Sequence, residues 1–310
     1  MKEIKTVSLI GLGAVGSYFA SKLQPVLGDG LRVIAANERK ERIEREGLVI
    51  NGCRYNFKVT EPGEETGYAD LAIIIPKFMG LRQALADMKH QIGPETLILA
   101  PLNGVETEPI VAEYYPETNI LPSLMMIGSV KKGNACVFDP ENSALQMGEW
   151  NNETLSDRVT LVRDFLRSCG IKVQVPADMK RAKWLKFMIN VSENQSSAVL
   201  GIPYGAWNGS SESATAVREQ LAREVIALAN AQGIALSEED LELRRKRIAT
   251  VDPANKTSML QDMEAGRPTE VEIFAGTMLR LGKQYGVATP CNQLIYHMIK
   301  VLEEKNYDKQ

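Results

Sequence analysis

Two stretches of the chain combine residue types that can move a proton and hold a polar substrate. The first is Lys183-Trp184-Leu185-Lys186-Phe187-Met188-Ile189-Asn190-Val191-Ser192-Glu193-Asn194, in which Lys186, Asn190 and Asn194 recur at i, i+4 and i+8. On a helix these three lie along one face, drifting only about 40° per step. An ammonium can stabilise a developing alkoxide and then give it a proton. Two amides on the same stripe, with Phe187, Ile189 and Val191 between them, point to a polar cleft; the alternative is an ordinary solvent-facing stripe. The second stretch is Ser258-Met259-Leu260-Gln261-Asp262, followed by Gly266-Arg267-Pro268-Thr269-Glu270. Pro268 or Thr269 can open a helix with Glu270 in its first turn, where an acid also answers the helix dipole with no further role.

A third motif concerns a cofactor. Gly11-Leu12-Gly13-Ala14-Val15-Gly16 closes an apolar run over 4–10 and opens a helical pattern through Tyr18, Phe19, Ala20 and Leu23. That context is what a dinucleotide-binding fingerprint requires. The first glycine allows the tight turn, and the second lets backbone approach a pyrophosphate at the helix N-terminus. The third permits close helix–strand packing. Glu38 lies 22 residues after Gly16, where an acid bonds the ribose of NAD. Arg39 and Lys40 follow at once and can pair with the 2′-phosphate of NADP. A solvated helix start, with Arg42 and Arg45 further on, is the third reading.

The scaffold for these residues follows from periodicity. Strand patterns at 4–10, 31–36, 71–75 and 96–100 alternate with helical ones at 38–46 and 81–92, which predicts a parallel sheet with crossover helices. Over 119–147 the pattern shortens, with turns at Lys132-Gly133-Asn134 and Asp139-Pro140-Glu141-Asn142, and predicts antiparallel hairpins on the sheet edge. A helix over 155–169 stops at Gly170, and 171–175 reads as the last strand. After Pro176 the spacing is helical at 178–200, 211–232, 237–250 and 270–285, broken by Gly233, Gly266 and Gly286 and by Pro253, Pro268 and Pro290. The charged tail 303–310 is expected to fray. The expected fold is α/β: a Rossmann-type doubly wound sheet over 1–176 that binds NAD(P), then an all-helical domain over 177–310 for substrate and dimerisation, with the active site between the two.

Bulk composition excludes several classes. The 310 residues are 44% hydrophobic and 24% charged, ordinary for a soluble globular protein of two domains. A formal charge of −3 offers no basic balance for nucleic acid or an anionic membrane. Apolar stretches such as 71–76 are too short to span a bilayer, and the N-terminus shows no signal-peptide core. Cys53, Cys136, Cys169 and Cys291 contain no CxxC, which argues against a zinc site or a disulfide framework and fits a reducing cytoplasm. His90 and His297 read as surface residues on charged helices, so a histidine base or metal ligand set has little to draw on, and no metal is expected.

Taken in order, the motifs resemble the ketopantoate reductase (2-dehydropantoate 2-reductase) family along nearly the whole chain. They are the glycine fingerprint, Pro76-Lys77, Leu102-Asn103-Gly104, Trp184-x-Lys186-x-x-x-Asn190-x-x-x-Asn194, Ser258 to Asp262, and Gly266 to Glu270. The last three together are specific; the first is shared by many dehydrogenases. The resemblance implies NADPH-dependent reduction of a 2-oxo acid to the 2-hydroxy acid, with 2-dehydropantoate to pantoate, in pantothenate and CoA biosynthesis, as the leading case. It implies Lys186 as general acid and Glu270 as its acidic partner. It places Asn190, Asn194 and Ser258 on substrate, Asn103 near substrate and nicotinamide, and Lys77 in the NADP(H) cleft, with Arg39 matching a basic cofactor-binding position. It also implies a cytoplasmic homodimer whose other partner is a small 2-oxo acid, not nucleic acid or membrane. Ala35-Ala36-Asn37 stands where the family usually has an arginine, Gln195-Ser196-Ser197 where it commonly has Pro-Leu-Thr, and Val271-Glu272 where it commonly has Ile-Asp. A reductase of another 2-oxo acid and a non-catalytic NAD(P)-binding sensor are the alternatives. Lys186, Asn190, Ser258 and Glu270 together argue against the sensor, which needs no proton donor.

Overall fold

The computed structural model describes residues 3–307. The chain forms two compact units, one running up to Asn103 and resuming over Thr107–Met179, the other comprising Gly104–Glu106 and the chain from Lys180 onward.

In the first unit the strands in chain order are β1 (Val7–Ile10), β2 (Leu31–Ile34), β3 (Leu48–Ile50), β4 (Cys53–Tyr55), β5 (Val59–Thr60), β6 (Leu71–Ile74), β7 (Leu97–Leu99), β8 (Ile120–Leu121), β9 (Ser123–Met126), β10 (Ser129–Lys132), β11 (Ala135–Phe138), β12 (Ala144–Met147) and β13 (Val173–Gln174). β1 and β6 are buried at every residue, the mark of strands covered on both faces of a parallel sheet. The main sheet has the order β5-β2-β1-β6-β7-β8, and each of its pairings is parallel. Chain order therefore reverses between β1 and β6. Ligands of open parallel sheets bind outside the carboxyl ends of the strands at such a reversal.

The hairpins expected at the edge of this sheet lie elsewhere. β10 and β11 form an antiparallel hairpin, but β11 pairs with β3, which pairs with β4. β9, β12 and β13 form a third sheet, so 171–175 contributes no strand to the main one. The main sheet already ends on β5 and β8, and the short strands β3 and β4, too brief to show a periodicity, create the edge that β11 takes.

Helix α1 (Ala14–Leu27) covers the sheet with Tyr18, Phe19, Ala20 and Leu23, all within 1% of full burial. The Tyr18 ring meets Phe138 edge-on at 4.9 Å. Burying each of these large side chains contributes roughly 1.5–3 kcal/mol. The unit also contains α2 (Asn37–Glu46), α3 (Leu81–Asp87), α4 (Thr107–Ala112) and α5 (Asp157–Ser168).

In the second unit α6 (Met179–Ile189) continues through a π turn, Asn190–Asn194, into α7 (Gln195–Leu200). Then come α8 (Glu212–Asn230), α9 (Glu238–Ile248) and α10 (Ser258–Glu264). A second π turn, Glu272–Gly276, leads into α11 (Thr277–Tyr285), and α12 (Pro290–Tyr307) follows. Ser211, Ser237 and Thr257 cap the helices that follow them, Ser237 in a reciprocal box with Asp240. Much of the tail expected to fray is helical instead, because Glu303 on α12 accepts bonds from the Thr269 N–H and hydroxyl at 2.8 and 2.7 Å. Residues 308–310 lie outside the described residues.

The glycines at the end of β1 differ in what surrounds them. A Cβ on Gly16 would sit 2.0 Å from the Gly11 carbonyl oxygen, whereas one on Gly13 would meet nothing within 4 Å. Gly16→Ala is therefore expected to lower the thermal midpoint, by a backbone shift worth about 1–3 kcal/mol. Gly13→Ala is expected to leave it unchanged. Equal midpoints for the two variants in a melting experiment contradict this packing.

Candidate active site

The glycine loop joins the carboxyl end of β1 to α1. Gly11 has φ +102°, and a Cβ there would lie 2.2 Å from the Ile75 carbonyl oxygen, at the end of the neighbouring β6. Only glycine fits such a position without strain. Leu12 is buried, and Ala14 and Val15 form the half-buried first turn of α1. Gly13 stands at the N-terminus of α1, which no side chain caps. The open space over Gly13 and the uncapped helix end make a cradle that fits the pyrophosphate of a dinucleotide.

Beyond β2, Asn37 turns the chain at φ +52° into α2. Glu38 and Arg39 are exposed in its first turn. Desolvation, and then the charge of Arg42, lower the pKa of Arg39, which stays a guanidinium cation. Lys40, which the sequence paired with Arg39, is held by Glu61 at 3.0 Å and Glu64 at 3.9 Å. Lys77 is exposed beyond the end of β6, and Asn103 is half-buried beyond the end of β7.

In the second unit, the expected stripe sits on α6 and its π turn. Asn190 and Asn194 are buried, at 5% and 7% exposure. The Asn194 amide lies 3.5 Å from the hydroxyl of the exposed Ser258 on α10. A π turn packs more residues into each turn than an α turn, so the sideways drift from Asn190 to Asn194 reverses that from Lys186 to Asn190. The stripe is straighter than an α-helix would make it.

Lys186 is half-buried, and its ammonium has a pKa lowered to about 8. Desolvation is the main cause and the charge of Arg244 the second, with Glu193 and Glu270 pulling the other way. Lys186 and Glu270 thus share one electrostatic environment. Glu193, with 0% exposure, takes both ends of a guanidinium fork, Arg244 Nε and Nη2 each at 2.6 Å. The Tyr204 hydroxyl is bonded into the same pair, and burial pushes its pKa up. Arg244, Glu193 and Tyr204 were not singled out from the sequence. A glutamate two residues beyond the mainly apolar stretch 187–191 was a visible signal; its partner 51 residues on was not.

Two expectations need correction. No helix starts at Pro268 or Thr269. Glu270 occupies a bend, its carbonyl accepting from the N–H groups of Ile273 and Phe274 at 3.1 and 3.2 Å, and the helix opens beyond it as the second π turn. Lys183, which looks on the sequence like a plain helix lysine beside Lys186, is buried at 3% exposure. Among the described residues no group of three or more His, Cys, Asp and Glu side chains is placed to hold a metal ion, and no helix is long and apolar enough to cross a membrane.

A doubly wound parallel sheet with a glycine cradle at its switch point, joined in sequence to a helical unit holding a desolvated lysine among amides and a carboxylate, defines the nicotinamide-dinucleotide class of oxidoreductases. The comparisons with known proteins narrow that class. Residues 7–152 match the family model described as "Ketopantoate reductase PanE/ApbA", and residues 178–303 match "Ketopantoate reductase PanE/ApbA C terminal". The chain belongs to the ketopantoate reductase family. It is 27% identical over 303 residues to a 2-dehydropantoate 2-reductase of Streptococcus pyogenes, covering 96% of this chain and 97% of that one. Its fold is that of a PanE/ApbA family ketopantoate reductase from Ralstonia eutropha, with TM-score 0.82, 24% identity and coverage of 97% and 99%. It is equally that of a D-mandelate dehydrogenase solved with NADH and anilino(oxo)acetate, with TM-score 0.88, 21% identity and the same coverage.

Lys186 is expected to titrate with a midpoint near pH 8, read from the side-chain resonances in an NMR pH series; a midpoint at the ordinary 10.5 would mean a solvated ammonium. The folded pKa lies below the unfolded one, so between about 8 and 10.5 the folded state binds fewer protons. This group's contribution to stability therefore rises with pH through that window.

Proposed function

We propose that the chain reduces the ketone of a 2-oxo acid with NADPH, and that 2-dehydropantoate is its substrate. The observation that carries this reading is the desolvated Lys186 ammonium beside Glu270, on the stripe of Asn190 and Asn194. With its pyrophosphate held in the glycine cradle, a bound dinucleotide would supply the hydride from its nicotinamide ring. Lys186 faces the carbonyl oxygen, stabilises the charge that develops on it and donates a proton. A pKa of about 8 keeps it largely protonated near neutrality, yet a better acid than a free lysine. Glu270 favours the charged form and orients it. Asn190, Asn194 and Ser258 hold the substrate's polar groups, while Asn103 and Lys77 serve the cofactor side.

Replacing Lys186 with alanine removes both the proton and the charge opposite the alkoxide. Turnover is expected to fall roughly 10²–10⁴-fold with NADPH affinity unchanged. The control for losing one positive charge from the same helix is Lys180→Ala, since Lys180 is exposed and Lys183 is not. NADPH absorbance followed against 2-dehydropantoate, 2-oxoisovalerate, pyruvate and phenylglyoxylate reads both variants. Fastest turnover of another acid moves the assignment to the alternative of a different 2-oxo acid reductase. Tight NADPH binding with no turnover on any of them means a sensor. Parental turnover in Lys186→Ala refutes the mechanism.

The preference for NADPH rests on Arg39. Its guanidinium is exposed at the first turn of α2, beyond the end of β2, whereas Lys40 is committed to Glu61. A well-formed charge-assisted contact to the 2′-phosphate contributes about 1.5–3 kcal/mol. Arg39→Ala is therefore expected to weaken NADPH roughly ten- to a hundredfold in titration calorimetry and to leave NADH unaffected. Equal weakening of both cofactors, or of neither, removes Arg39 from the site.

A further inference from the structure

The amide of Gln195 reaches three segments of the helical unit at once. The side chain has 0% exposure. Its Nε2 donates to the Val191 carbonyl at 2.8 Å and to Asn292 Oδ1 at 3.2 Å, and its Oε1 accepts from the Ala275 N–H at 2.9 Å. Val191 belongs to the first π turn and Ala275 to the second.

A π turn slips the helical ladder by one residue, and a buried backbone group that loses its partner must find another. The second turn shows this directly. In an α-helix the Ala275 N–H would bond the Val271 carbonyl, four residues back. That carbonyl accepts from Gly276 at 3.0 Å, the i→i+5 bond of a π turn, and from Phe274 at 3.3 Å, but not from Ala275. Ala275 is left over, and Gln195 receives it. The same amide, from its other end, holds a carbonyl of the first turn.

The amide is also held in orientation. Asn292 offers Gln195 its Oδ1 while its Nδ2 donates to Glu224 at 2.7 Å, and Glu224 further accepts from the N–H groups of Cys291 and Asn292 at 2.7 and 2.9 Å. With Ala275 donating on one side and Asn292 accepting on the other, the two ends of the Gln195 amide cannot exchange.

Both π turns adjoin the candidate chemistry. The first contains Asn190 and Asn194 and begins four residues after Lys186. The second begins two residues after Glu270, whose carbonyl accepts from Ile273 and Phe274 within that π turn. We infer that Gln195 is a positioning residue, which locks the two π turns to one another and thereby sets the separation of Lys186 and Glu270. It acts through the backbone and contacts no reacting atom. The inference rests on the reading of Lys186 and Glu270 given above.

The test uses the full chain with Gln195→Met, which keeps the length of the side chain and removes the amide, and Gln195→Glu, which keeps the acceptor for Ala275 and loses the donor to Val191. Amide hydrogen exchange is measured over 190–194 and 272–276, with kcat, KM and NADPH affinity alongside. In Gln195→Met exchange is expected to rise in both segments together. Turnover should fall roughly tenfold to a hundredfold, the scale of an ångström of misplacement, with NADPH affinity unchanged. Gln195→Glu should retain protection over 272–276, lose it over 190–194 and recover part of kcat. A folded Gln195→Met with parental kcat, or with only one segment deprotected, overturns the inference. If that variant does not fold, unchanged exchange over 190–194 in Gln195→Glu overturns it instead. Parental turnover in Lys186→Ala would defeat the reading of the site, a failure distinct from these, since exchange reports the coupling without any catalysis.

Discussion

An ammonium removed from water must find counter-charge or give up its proton, and the helical unit is arranged around one that does some of each. Lys186 keeps a pKa near 8 because desolvation and Arg244 push it down while Glu193 and Glu270 hold it up. Glu193 could not stand in that interior alone. Its carboxylate has 0% exposure, and Arg244 meets it with two parallel bonds of 2.6 Å. Removing one partner of such a buried pair costs about 3–5 kcal/mol, because the other is left as an uncompensated charge. The Glu193–Arg244 fork is thus both a tie between the first π turn and α9 and a fixed element of the field that Lys186 feels.

The backbone delivers this arrangement through departures from the α-helix. Ser192 donates back to the Met188 carbonyl at 2.7 Å, Ser196 to Ser192 at 2.5 Å and Ser197 to Ile202 at 2.6 Å. The Ser192 and Ser196 hydroxyls bond carbonyls of their own helix, which competes with its ladder and loosens it, while Ser197 bonds a carbonyl just beyond the end of α7. A buried helix this rich in serine can therefore hold a π turn that an aliphatic one would expel. The turn carries the polar stripe inward, and Gln195 bonds its Val191 carbonyl as well as the Ala275 N–H of the second π turn.

What was legible in the sequence is what depends on neighbours along the chain. Gly11 and Gly16 answer local backbone constraints, a positive φ and a close carbonyl, and their spacing announced the loop and its strand and helix. The Lys186, Asn190 and Asn194 stripe was legible because helical spacing is local. The rest depends on partners far away in sequence. The π turns require Gln195 to meet Ala275, 80 positions on, and Glu193 requires Arg244, 51 positions on. The β10–β11 turn was readable but the edge it joins was not, since β3 is three residues long and pairs with β11 from a distance. Glu303 looked like part of a frayed tail because charge in a terminal segment says nothing about a backbone N–H waiting at Thr269.

The positions at which the chain departs from the family pattern also acquire a physical meaning. Gln195, Ser196 and Ser197 are each at 0% exposure, and each bonds backbone. Val271 is buried at 1%, and Glu272 is tied to Tyr296 at 3.0 Å and Lys300 at 3.3 Å. These residues are oriented toward the helices behind the stripe. The side chains proposed to touch a substrate, Lys186, Asn190, Asn194, Ser258 and Glu270, are the ones whose types match the motifs quoted from the sequence. Such a division changes the support of a site while conserving its contact groups, and it alters chemistry through distance and angle. Under the proposed mechanism, a shift of a fraction of an ångström between Lys186 and Glu270 would act on the rate of proton transfer far more than on substrate affinity, because transfer depends on near-attack geometry and binding tolerates more. On the proposed mechanism, these departures bear on the rate of the chemical step more than on what the stripe binds.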